Sequence, residues 1–361
     1  MKAWVLHDIG DIRLEERTMP TPGKGEALIR VMAAGICGSD VPRVFRDGAH
    51  VMPLVPGHEF SGVVEAVGKE SSDWLGKRVG IFPLIPCGEC LPCRNGQHEM
   101  CRHYSYLGSR RDGGFAEYVI APVKNLIALP DSVTFEQAAM LEPMAVAVHA
   151  MRRLDLSRKP YDVPIGVAGV GTIGMLLVMF LRERGFRKLY VICNKDLQIE
   201  KLRALGLKDE NICDSRKKDA RTFFKERTEG VGVDAFYECV GRNETAVLAI
   251  DSVRPGGQVC FAGNPYSDMT FPKDVYWKIL RNQITVTGTW NSSFFTSDAV
   301  DPVEMNNPTD WEYVVEQLQD GRISPENFIL HRFPMAGLLS GLEIMRDKKE
   351  DYLKVMVKIG F

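Results

Sequence analysis

The sequence predicts an α/β protein in which a β-rich first part is followed by a doubly wound parallel sheet. The first 130 residues are rich in Val, Gly and Pro, with short β-like stretches between turn residues. From about residue 163, apolar strands alternate with amphipathic helices, a pattern typical of a parallel sheet. A chain of 361 residues also exceeds the usual limit of one hydrophobic core, so two domains are expected.

Short apolar stretches in the first part are predicted to form strands at 27–33, 62–67, 78–81 and 115–120. In the second part, the alternation predicts strands at 165–168, 189–193, 233–238, 258–262 and 284–289, with helices at 172–184, 197–205 and 243–252. After a loop at 298–310, the pattern predicts helices at 311–318 and 335–346 and a strand at 354–359. We therefore expect a first domain at 1–150, a parallel-sheet domain at 151–289, and a return of 290–361 to the first domain.

Composition favours a small-molecule partner. Lys and Arg number 45 against 47 Asp and Glu, a net charge of -2, so no global basic field is available to bind nucleic acid or an anionic membrane. The amino terminus lacks the apolar segment of a secretory signal, and Pro164 and four glycines break the uncharged run at 163–181. We expect a cytoplasmic protein without a membrane span. Its nine cysteines are then poor disulfide candidates, and clusters among them are expected to be metal ligands or reactive thiols.

A cysteine cluster is the most specific local motif. Cys87, Cys90, Cys93 and Cys101 have C-x2-C-x2-C-x7-C spacing, with Pro and Gly residues at the turns. Four thiolates held by tight turns make a closed tetrahedral zinc site, so a structural zinc lobe is expected at about 86–102. An iron–sulfur cluster accepts similar spacing, but a single cluster beside a nucleotide-binding fold favours zinc. Unrelated buried cysteines are the remaining alternative.

A second metal site is predicted from residues far apart in the sequence. Cys37, His58 and Glu59 place a thiolate, an imidazole and a carboxylate in loops that flank short strands. Glu142 interrupts an otherwise apolar run, where an unpaired carboxylate would be costly to bury. A Cys, His and Glu set leaves zinc one open position, the arrangement of a catalytic site. The alternatives are a core cysteine, a packing histidine, and a Glu142 that caps a helix beginning at Pro143.

A dinucleotide site is predicted where the first strand of the parallel sheet ends. A G-x-G-x-x-G motif follows that strand and opens an amphipathic helix, and it contains Gly169, Gly171, Thr172, Ile173 and Gly174. Its glycines allow a tight turn and a close approach to a pyrophosphate, whose charge the helix N-terminus stabilises. The acid that binds the ribose is expected about 20 residues further on, where Asn194 and Asp196 are the candidates, while Lys195 would tolerate a 2′-phosphate. We expect NAD as the cofactor, with NADP left open.

These motifs jointly resemble the zinc-dependent medium-chain dehydrogenase/reductase family over essentially the whole chain. In chain order they are GICGSD at 35–40, GHEFSGVVEAVG at 57–68, the four-cysteine lobe, GGFAEY at 113–118, LEP at 141–143, GVGTIG at 169–174 and ECVG at 238–241. Glu142 stands where alcohol dehydrogenases have a cysteine. In this respect the chain resembles the polyol dehydrogenase branch, which includes sorbitol (L-iditol) and galactitol-1-phosphate dehydrogenases. The segments CGSDVPRVFRDGAH and GSRRDGGFAEY look most similar to the galactitol-1-phosphate members. The resemblance implies a GroES-like catalytic domain and a Rossmann domain.

The resemblance also implies a mechanism. A catalytic zinc ion would be held by Cys37, His58 and Glu142, or by Glu59 in an alternating role, and Ser39 would begin a proton relay. Zinc polarises a secondary alcohol, whose hydride passes to the nicotinamide of NAD(P). The alternative for Ser39 is a hydroxyl that caps a turn. Together with the structural site this gives two zinc ions per chain, and the family suggests a homodimer or homotetramer.

Three arginines suggest a phosphorylated substrate. Arg43 lies six residues after Cys37, and Arg110 and Arg111 stand beside the GGFAEY turn. Guanidinium groups bind phosphate through paired hydrogen bonds, although adjacent arginines also commonly face solvent. We expect oxidation of a polyol or polyol phosphate, with an unphosphorylated sugar-alcohol or threonine-type dehydrogenase as the alternative. A non-catalytic nucleotide-binding protein is disfavoured because every candidate zinc ligand is present.

Overall fold

The computed structural model describes residues 1–69, 71–156, 160–294 and 308–360. Most of the predicted loop at 298–310 lies outside these residues. The chain divides into two compact units: the first comprises Met1–Ala145 and Ser292–Phe361, and the second comprises Val146–Asn291. Each unit has a buried apolar cluster of its own.

The described residues form strands in both units. In chain order these are β1 (Lys2–Asp8), β2 (Asp11–Glu16), β3 (Glu26–Ile36), β4 (Glu59–Val67), β5 (Arg78–Ile81), β6 (Leu84–Ile85), β7 (Ser105–Tyr106), β8 (Tyr118–Pro122), β9 (Leu126–Ala128), β10 (Ile165–Ala168), β11 (Leu189–Cys193), β12 (Ile212–Asp214), β13 (Val233–Glu238), β14 (Val253–Phe261), β15 (Thr285–Gly288), β16 (Ile329–Pro334) and β17 (Lys354–Lys358).

The helices of the described residues are mostly short. In chain order they are α1 (Asp40–Pro42), α2 (Leu91–Arg94), α3 (Phe135–Ala139), α4 (Leu141–Arg152), α5 (Thr172–Glu183), α6 (Asp196–Ala204), α7 (Ala220–Arg227), α8 (Asn243–Ser252), α9 (Lys273–Arg281), α10 (Asp310–Gln319) and α11 (Leu338–Asp347). Within the described part of the chain, no helix has both the length and the apolar character that crossing a membrane requires.

The first unit is built on a seven-stranded sheet in the order β16-β17-β3-β4-β5-β9, with β8 also paired to β3. Strand β3 is 11 residues long and mostly buried, because apolar residues occupy both of its faces. Strand β4 pairs antiparallel with it and places Glu59 opposite Gly35. Strand β17 pairs with the same end of β3, with Val355 opposite Ile36. Residues from three distant parts of the sequence therefore meet where β3 ends.

The second unit contains a six-stranded parallel sheet in the order β12-β11-β10-β13-β14-β15. Strands β10, β11 and β12 follow one another toward one edge of the sheet. Strands β13, β14 and β15 follow one another toward the other edge, so the direction of strand addition reverses between β10 and β13. In such sheets a ligand binds outside the carboxyl ends of the strands at the point of reversal. The doubly wound parallel sheet expected from the sequence is confirmed.

Strands β10, β11 and β13 begin and end where the sequence predicts, because each is an apolar run between turn residues. The sequence analysis does not predict strands β1, β2, β6, β7, β9, β12 and β16 or helices α1, α2, α3, α4, α7 and α9. Strand β12 has only three residues, and α7 buries only Phe223 and Phe224, so neither shows a clear period. Glu142 does not cap a helix that begins at Pro143, because α4 already begins at Leu141. Pro143 then lies in the first turn, where its missing N–H costs no hydrogen bond.

Phe236 tests the packing of the second unit. Its ring is fully buried, and its centroid lies 5.2 Å from that of Phe224. We expect Phe236→Ala to lower the free energy of unfolding by about 3–5 kcal/mol, because removing a buried aromatic side chain leaves a cavity. Urea unfolding followed by circular dichroism measures the change, with Tyr266→Ala, at a 70% exposed position, as the control. A loss similar to that of the control would contradict this packing.

Candidate functional sites

The four cysteines of the lobe converge in space. The Sγ–Sγ distances are 3.9 Å for Cys87 and Cys93, 3.5 Å for Cys90 and Cys93, and 3.8 Å for Cys90 and Cys101. Four sulfur ligands at about 2.3 Å from zinc, arranged as a tetrahedron, lie about 3.8 Å apart. The observed spacing therefore fits one zinc ion with all four positions filled by protein.

The ionisation of these thiols depends on their surroundings. The N–H of Cys87 donates to Cys101 Sγ at 3.3 Å, and the N–H of Cys90 donates to Cys87 Sγ at 3.4 Å. Backbone hydrogen bonds, the largest effect coming from Arg102, lower the pKa of Cys90 to about 6. Burial, together with the neighbouring Cys101 and Cys90, raises the pKa of Cys93 to about 12. The four thiols therefore need a cation to ionise together, and a zinc ion supplies that charge.

Strand pairing brings the second cluster together. Cys37 directly follows β3, and Glu59 begins β4 opposite Gly35. One ligand atom from each of Cys37, His58 and Glu59 lies within 4.8 Å of the others. His58 is 4% exposed, and its Nδ1 atom makes no hydrogen bond with any described residue. A thiol, a buried imidazole and a carboxylate at this spacing fit a zinc ion.

Gly35 leaves the space that the Glu59 side chain occupies. A Cβ atom at Gly35 would lie 2.3 Å from Glu59 Oε2, closer than any real contact. The residue opposite Glu59 must therefore lack a side chain for its carboxylate to turn toward the end of β3. This explains in physical terms why a glycine stands two residues before Cys37.

A buried aspartate, Asp40, fixes the loop after β3. Its carboxylate accepts hydrogen bonds from the N–H of Cys37 at 3.0 Å and from Arg43 Nη1 at 2.5 Å. It also lies 3.4 Å from His58 Nδ1. Burial acts to raise the pKa of Asp40, but His58, Arg43 and the N–H of Cys37 together lower it. The ionised carboxylate holds the backbone of Cys37 and the guanidinium of Arg43 in place.

A buried ion pair joins the last strand to this cluster. Lys354, the first residue of β17, is 2% exposed, and its Nζ atom lies 2.5 Å from Glu59 Oε2. Nζ also donates to the carbonyl oxygen of Ile36 at 3.2 Å. Burial acts to lower the pKa of Lys354, but the charge of Glu59 outweighs it and the pKa is raised. Lys354 therefore stays charged and fixes one oxygen of Glu59.

Glu142 lies on α4 near this cluster, but outside the set of atoms within 4.8 Å. It is 8% exposed and accepts a hydrogen bond from the hydroxyl of Tyr106 at 3.2 Å. The Tyr106 ring packs edge-on against the His58 ring, with centroids 5.8 Å apart. Burial raises the pKa of Glu142 to about 7, against the opposing charge of His58. Tyr106 thus connects the carboxyl group of Glu142 to the imidazole of His58.

The three candidate arginines have different interaction partners. Arg43 is engaged by Asp40, and Arg111 pairs with Glu26 at 2.9 Å. Arg110 makes no ion pair with any residue that the structure describes, and its guanidinium carbon lies 4.3 Å from the centre of the Tyr104 ring. Although they are adjacent in sequence, Arg110 and Arg111 therefore have different partners. The turn that contains Ser39 lies between Cys37 and Asp40 and leaves the Ser39 side chain half-buried.

The glycine-rich turn after β10 fits a dinucleotide. Gly169 has φ +87, and a Cβ atom there would lie 2.4 Å from Val240 Cγ2. A Cβ atom on Gly174 would lie 1.9 Å from the carbonyl oxygen of Gly169, whereas one on Gly171 would meet no atom within 4 Å. Packing therefore requires the first and third glycines. The second leaves open space before α5, which begins with Thr172 and Ile173, as the approach of a pyrophosphate requires.

The residues after β11 stand where a ribose is expected. The N–H of Asn194 donates to Gln198 Oε1 at 3.0 Å. Asp196 begins α6, and its carboxylate accepts a hydrogen bond from Arg216 Nη2 at 2.5 Å. Arg216 also binds Asp214, the last residue of β12. The candidate acid Asp196 is therefore already engaged by an arginine.

Three residues of the first-unit site were not assigned from the sequence: Asp40, Tyr106 and Lys354. Asp40 is the last residue of the GICGSD motif, but the motif alone does not indicate what its side chain contacts. A lysine that opens an apolar strand, as in KVMVK, is a signal for Lys354, because an unpaired charge there would be costly to bury. Nothing in the sequence distinguishes Tyr106 from other tyrosines.

Comparison with known proteins identifies related dehydrogenases. Residues 23–131 match the alcohol dehydrogenase GroES-like domain, and residues 172–305 match the zinc-binding dehydrogenase domain. Galactitol 1-phosphate 5-dehydrogenase of Escherichia coli K12 is 31% identical over 341 residues, which cover 92% of each protein. Sorbitol dehydrogenase of Bacillus subtilis is 32% identical over 334 residues, 89% of this chain and 92% of that protein.

Solved structures show the same fold. The crystal structure of galactitol-1-phosphate dehydrogenase from Escherichia coli has a TM-score of 0.87 at 29% identity, covering 99% of this chain and 100% of that one. A short chain alcohol dehydrogenase from Escherichia coli CFT073, complexed with NADH, has a TM-score of 0.87 at 25% identity, covering 99% of each chain. The chain belongs to the zinc-dependent medium-chain dehydrogenase/reductase family. The expected GroES-like and Rossmann fold class and the expected zinc-binding dehydrogenase are thereby confirmed.

Cys93→Ser tests the closed zinc site. We expect the zinc content to fall from about two ions per chain to about one, because a serine hydroxyl cannot replace a thiolate ligand. Elemental analysis after extensive dialysis measures the content, and circular dichroism checks that the variant is folded. Cys213→Ala, at a buried cysteine of the second unit, is the control and should keep the wild-type content. An unchanged zinc content in Cys93→Ser would contradict the assignment.

Proposed function

We propose that the protein is a zinc-dependent dehydrogenase that oxidises a secondary hydroxyl of a polyol phosphate, with NAD(P) as the hydride acceptor. The main support for a phosphorylated substrate is Arg110, whose guanidinium has no ion pair among the described residues. The name of the galactitol 1-phosphate relative, 31% identical to this chain, supports the same substrate class. Because sorbitol dehydrogenase is 32% identical to this chain, unphosphorylated polyols should be tested together with the phosphorylated ones.

A row of side chains leads from the second cluster to Arg110. The centroid of the Tyr106 ring lies 5.8 Å from that of His58 and 6.1 Å from that of Tyr104. The Arg110 guanidinium packs on the far member of this row, Tyr104, at 4.3 Å. A polyol phosphate has hydroxyl groups along its carbon chain and a dianion at one end. The row supports a substrate whose hydroxyl is at the metal cluster and whose phosphate is at Arg110.

The charge of Arg110 acts on a neighbouring imidazole. Burial lowers the pKa of His50, and the charges of Arg110 and Arg43 lower it further. Asp40 neutralises Arg43, so Arg110 is the guanidinium without a carboxylate partner among the described residues. Glu26 neutralises Arg111, so that arginine is left out of the proposed phosphate site.

We propose that Cys37, His58 and Glu59 hold the catalytic zinc and that Glu142 stands beside its open position. The 4.8 Å spacing supports Glu59, and the hydrogen bond from Tyr106 supports a separate place for Glu142. A zinc ion at such a site supplies a Lewis acid that polarises a substrate oxygen. Asp40 and Lys354 hold the Cys37 loop and Glu59, and Ser39 is our candidate for passing the substrate proton outward.

We propose that the dinucleotide binds at the turn 169–174. The open space at Gly171 and the N-terminus of α5 support the placement of a pyrophosphate there. The NADH complex of the Escherichia coli alcohol dehydrogenase supports the same cofactor class. NAD(P) supplies the electron acceptor, while the protein fixes its orientation. Asp196 suits a ribose hydroxyl and Arg216 suits a 2′-phosphate, so both cofactors belong in the assay.

Arg110→Gln tests the substrate class. With the wild type we expect kcat/KM for galactitol 1-phosphate to exceed that for galactitol and for sorbitol by at least about tenfold, because phosphate gains charge-assisted hydrogen bonds. The variant should lose about 10- to 100-fold on the phosphate and little on the free polyols. Initial rates with NAD and with NADP measure these values, with Arg13→Gln, at an exposed arginine, as the control. Equal wild-type rates on phosphorylated and free polyols would contradict the proposal that the substrate is a polyol phosphate.

Glu59→Gln and Glu142→Gln separate the two carboxylates. We expect Glu59→Gln to retain about one zinc per chain, because the cysteine lobe is intact while the other site loses an anionic ligand. Glu142→Gln should retain about two zinc ions and lose most of its activity. Elemental analysis after dialysis against a mild chelator measures the content, with Asp47→Asn as an exposed control. The reverse pattern of zinc contents would make Glu142 the ligand.

A further inference from the structure

A buried carboxylate stands at the point where the strand order of the second unit reverses. Glu238 is the last residue of β13, and it pairs with Ala168, the last residue of β10. The turns that follow these two strands, residues 169–174 and 239–241, are therefore neighbours. In a doubly wound sheet, a dinucleotide lies across the carboxyl ends of the strands at this point.

The Glu238 carboxylate is held by neutral donors. It is 1% exposed, and Oε1 accepts hydrogen bonds from the N–H groups of Val240 at 2.8 Å and Gly241 at 2.9 Å, and from Thr245 Oγ1 at 2.7 Å. Oε2 accepts a further hydrogen bond from the N–H of Gly241 at 3.1 Å. No lysine, arginine or histidine of the described residues forms an ion pair with it. The carboxylate therefore fixes the turn that follows β13 through these hydrogen bonds.

That turn packs directly against the glycine-rich turn. The N–H of Cys239 donates to the carbonyl oxygen of Ala168 at 2.8 Å. Val240 Cγ2 lies where a Cβ atom on Gly169 would be 2.4 Å away, and Cys239 Cβ lies 3.5 Å from a Cβ atom on Gly174. The position of residues 239–240 therefore sets the position of the first and third glycines.

The opposite side of the turn is equally restricted. Gly241 has φ +81, and a Cβ atom there would lie 1.9 Å from the carbonyl oxygen of Asn264. A Cβ atom on Gly263 would lie 2.1 Å from the nitrogen of Gly241. The segment 239–241 is thus held between the glycine-rich turn on one side and residues 263–264 on the other. It cannot relax without moving one of them.

We propose that Glu238 is a positioning residue for the dinucleotide. Its carboxylate fixes the 239–241 turn, and this turn holds Gly169 in the place from which its backbone meets the pyrophosphate. This inference rests on the proposed use of NAD(P). Thr245, at the start of α8, completes the arrangement by donating its hydroxyl to the same oxygen.

Glu238→Gln tests the proposal, because it keeps the size of the side chain and replaces one acceptor oxygen with a donor. We expect the Kd for NADH and NADPH, measured by fluorescence titration of the zinc-loaded protein, to rise by about 10- to 100-fold. The kcat at saturating dinucleotide should change by less than about threefold, since Glu238 touches no reacting atom. Glu244→Gln, an exposed glutamate in the first turn of α8, is the control and should bind as the wild type does.

Thr245→Val and Thr245→Ser provide a second, milder pair of variants. Valine removes the hydroxyl, so dinucleotide binding should weaken by about 3- to 10-fold, whereas serine restores the donor and should restore affinity. If Glu238→Gln does not fold, this pair decides the matter. A folded Glu238→Gln or Thr245→Val with lower thermal stability but an unchanged Kd would overturn the proposal. A wild-type protein that binds neither dinucleotide would refute the proposed function instead.

Discussion

The buried ion pair between Lys354 and Glu59 connects the last strand of the chain to the proposed zinc site. Lys354 opens β17 and donates to the carbonyl oxygen of Ile36, and Glu59 opens β4 opposite Gly35, so the pair lies at the end of β3. A buried charge that loses its partner costs about 3–5 kcal/mol, so this contact strongly disfavours any arrangement in which the last strand is displaced. The geometry of the ligands thus depends on residues almost 300 positions away in the sequence.

Both sites obey the same structural rule. The proposed zinc ligands stand where β3 and β4 pair, and the glycine-rich turn stands where β10 and β13 pair. The ends of paired strands bring together residues that are distant in sequence, and they leave backbone N–H groups without strand partners. Those N–H groups are then used to hold side chains, as Cys37 holds Asp40 and Gly241 holds Glu238.

Three of the buried carboxylates among the described residues have two kinds of partner. Asp40 is balanced by Arg43, and Glu59 is balanced by Lys354. Glu238 has only backbone N–H groups and a hydroxyl as its partners. The cationic partners set the charge around the proposed metal site, whereas the neutral partners of Glu238 only fix a shape. This difference matches the roles proposed for the two residues, with Glu59 as a zinc ligand and Glu238 as a positioning residue.

Local sequence patterns were enough to predict those elements that depend on neighbouring residues in the chain. Strands such as β11 follow from apolar runs between turn residues, and the cysteine lobe follows from four thiols within 15 residues. The contact of Lys354 with Glu59, the contact of Tyr106 with Glu142, and the different partners of Arg110 and Arg111 follow only from the tertiary structure. The physical reason is that spacing along the chain specifies turns and periods, whereas contacts between distant side chains depend on how strands pair.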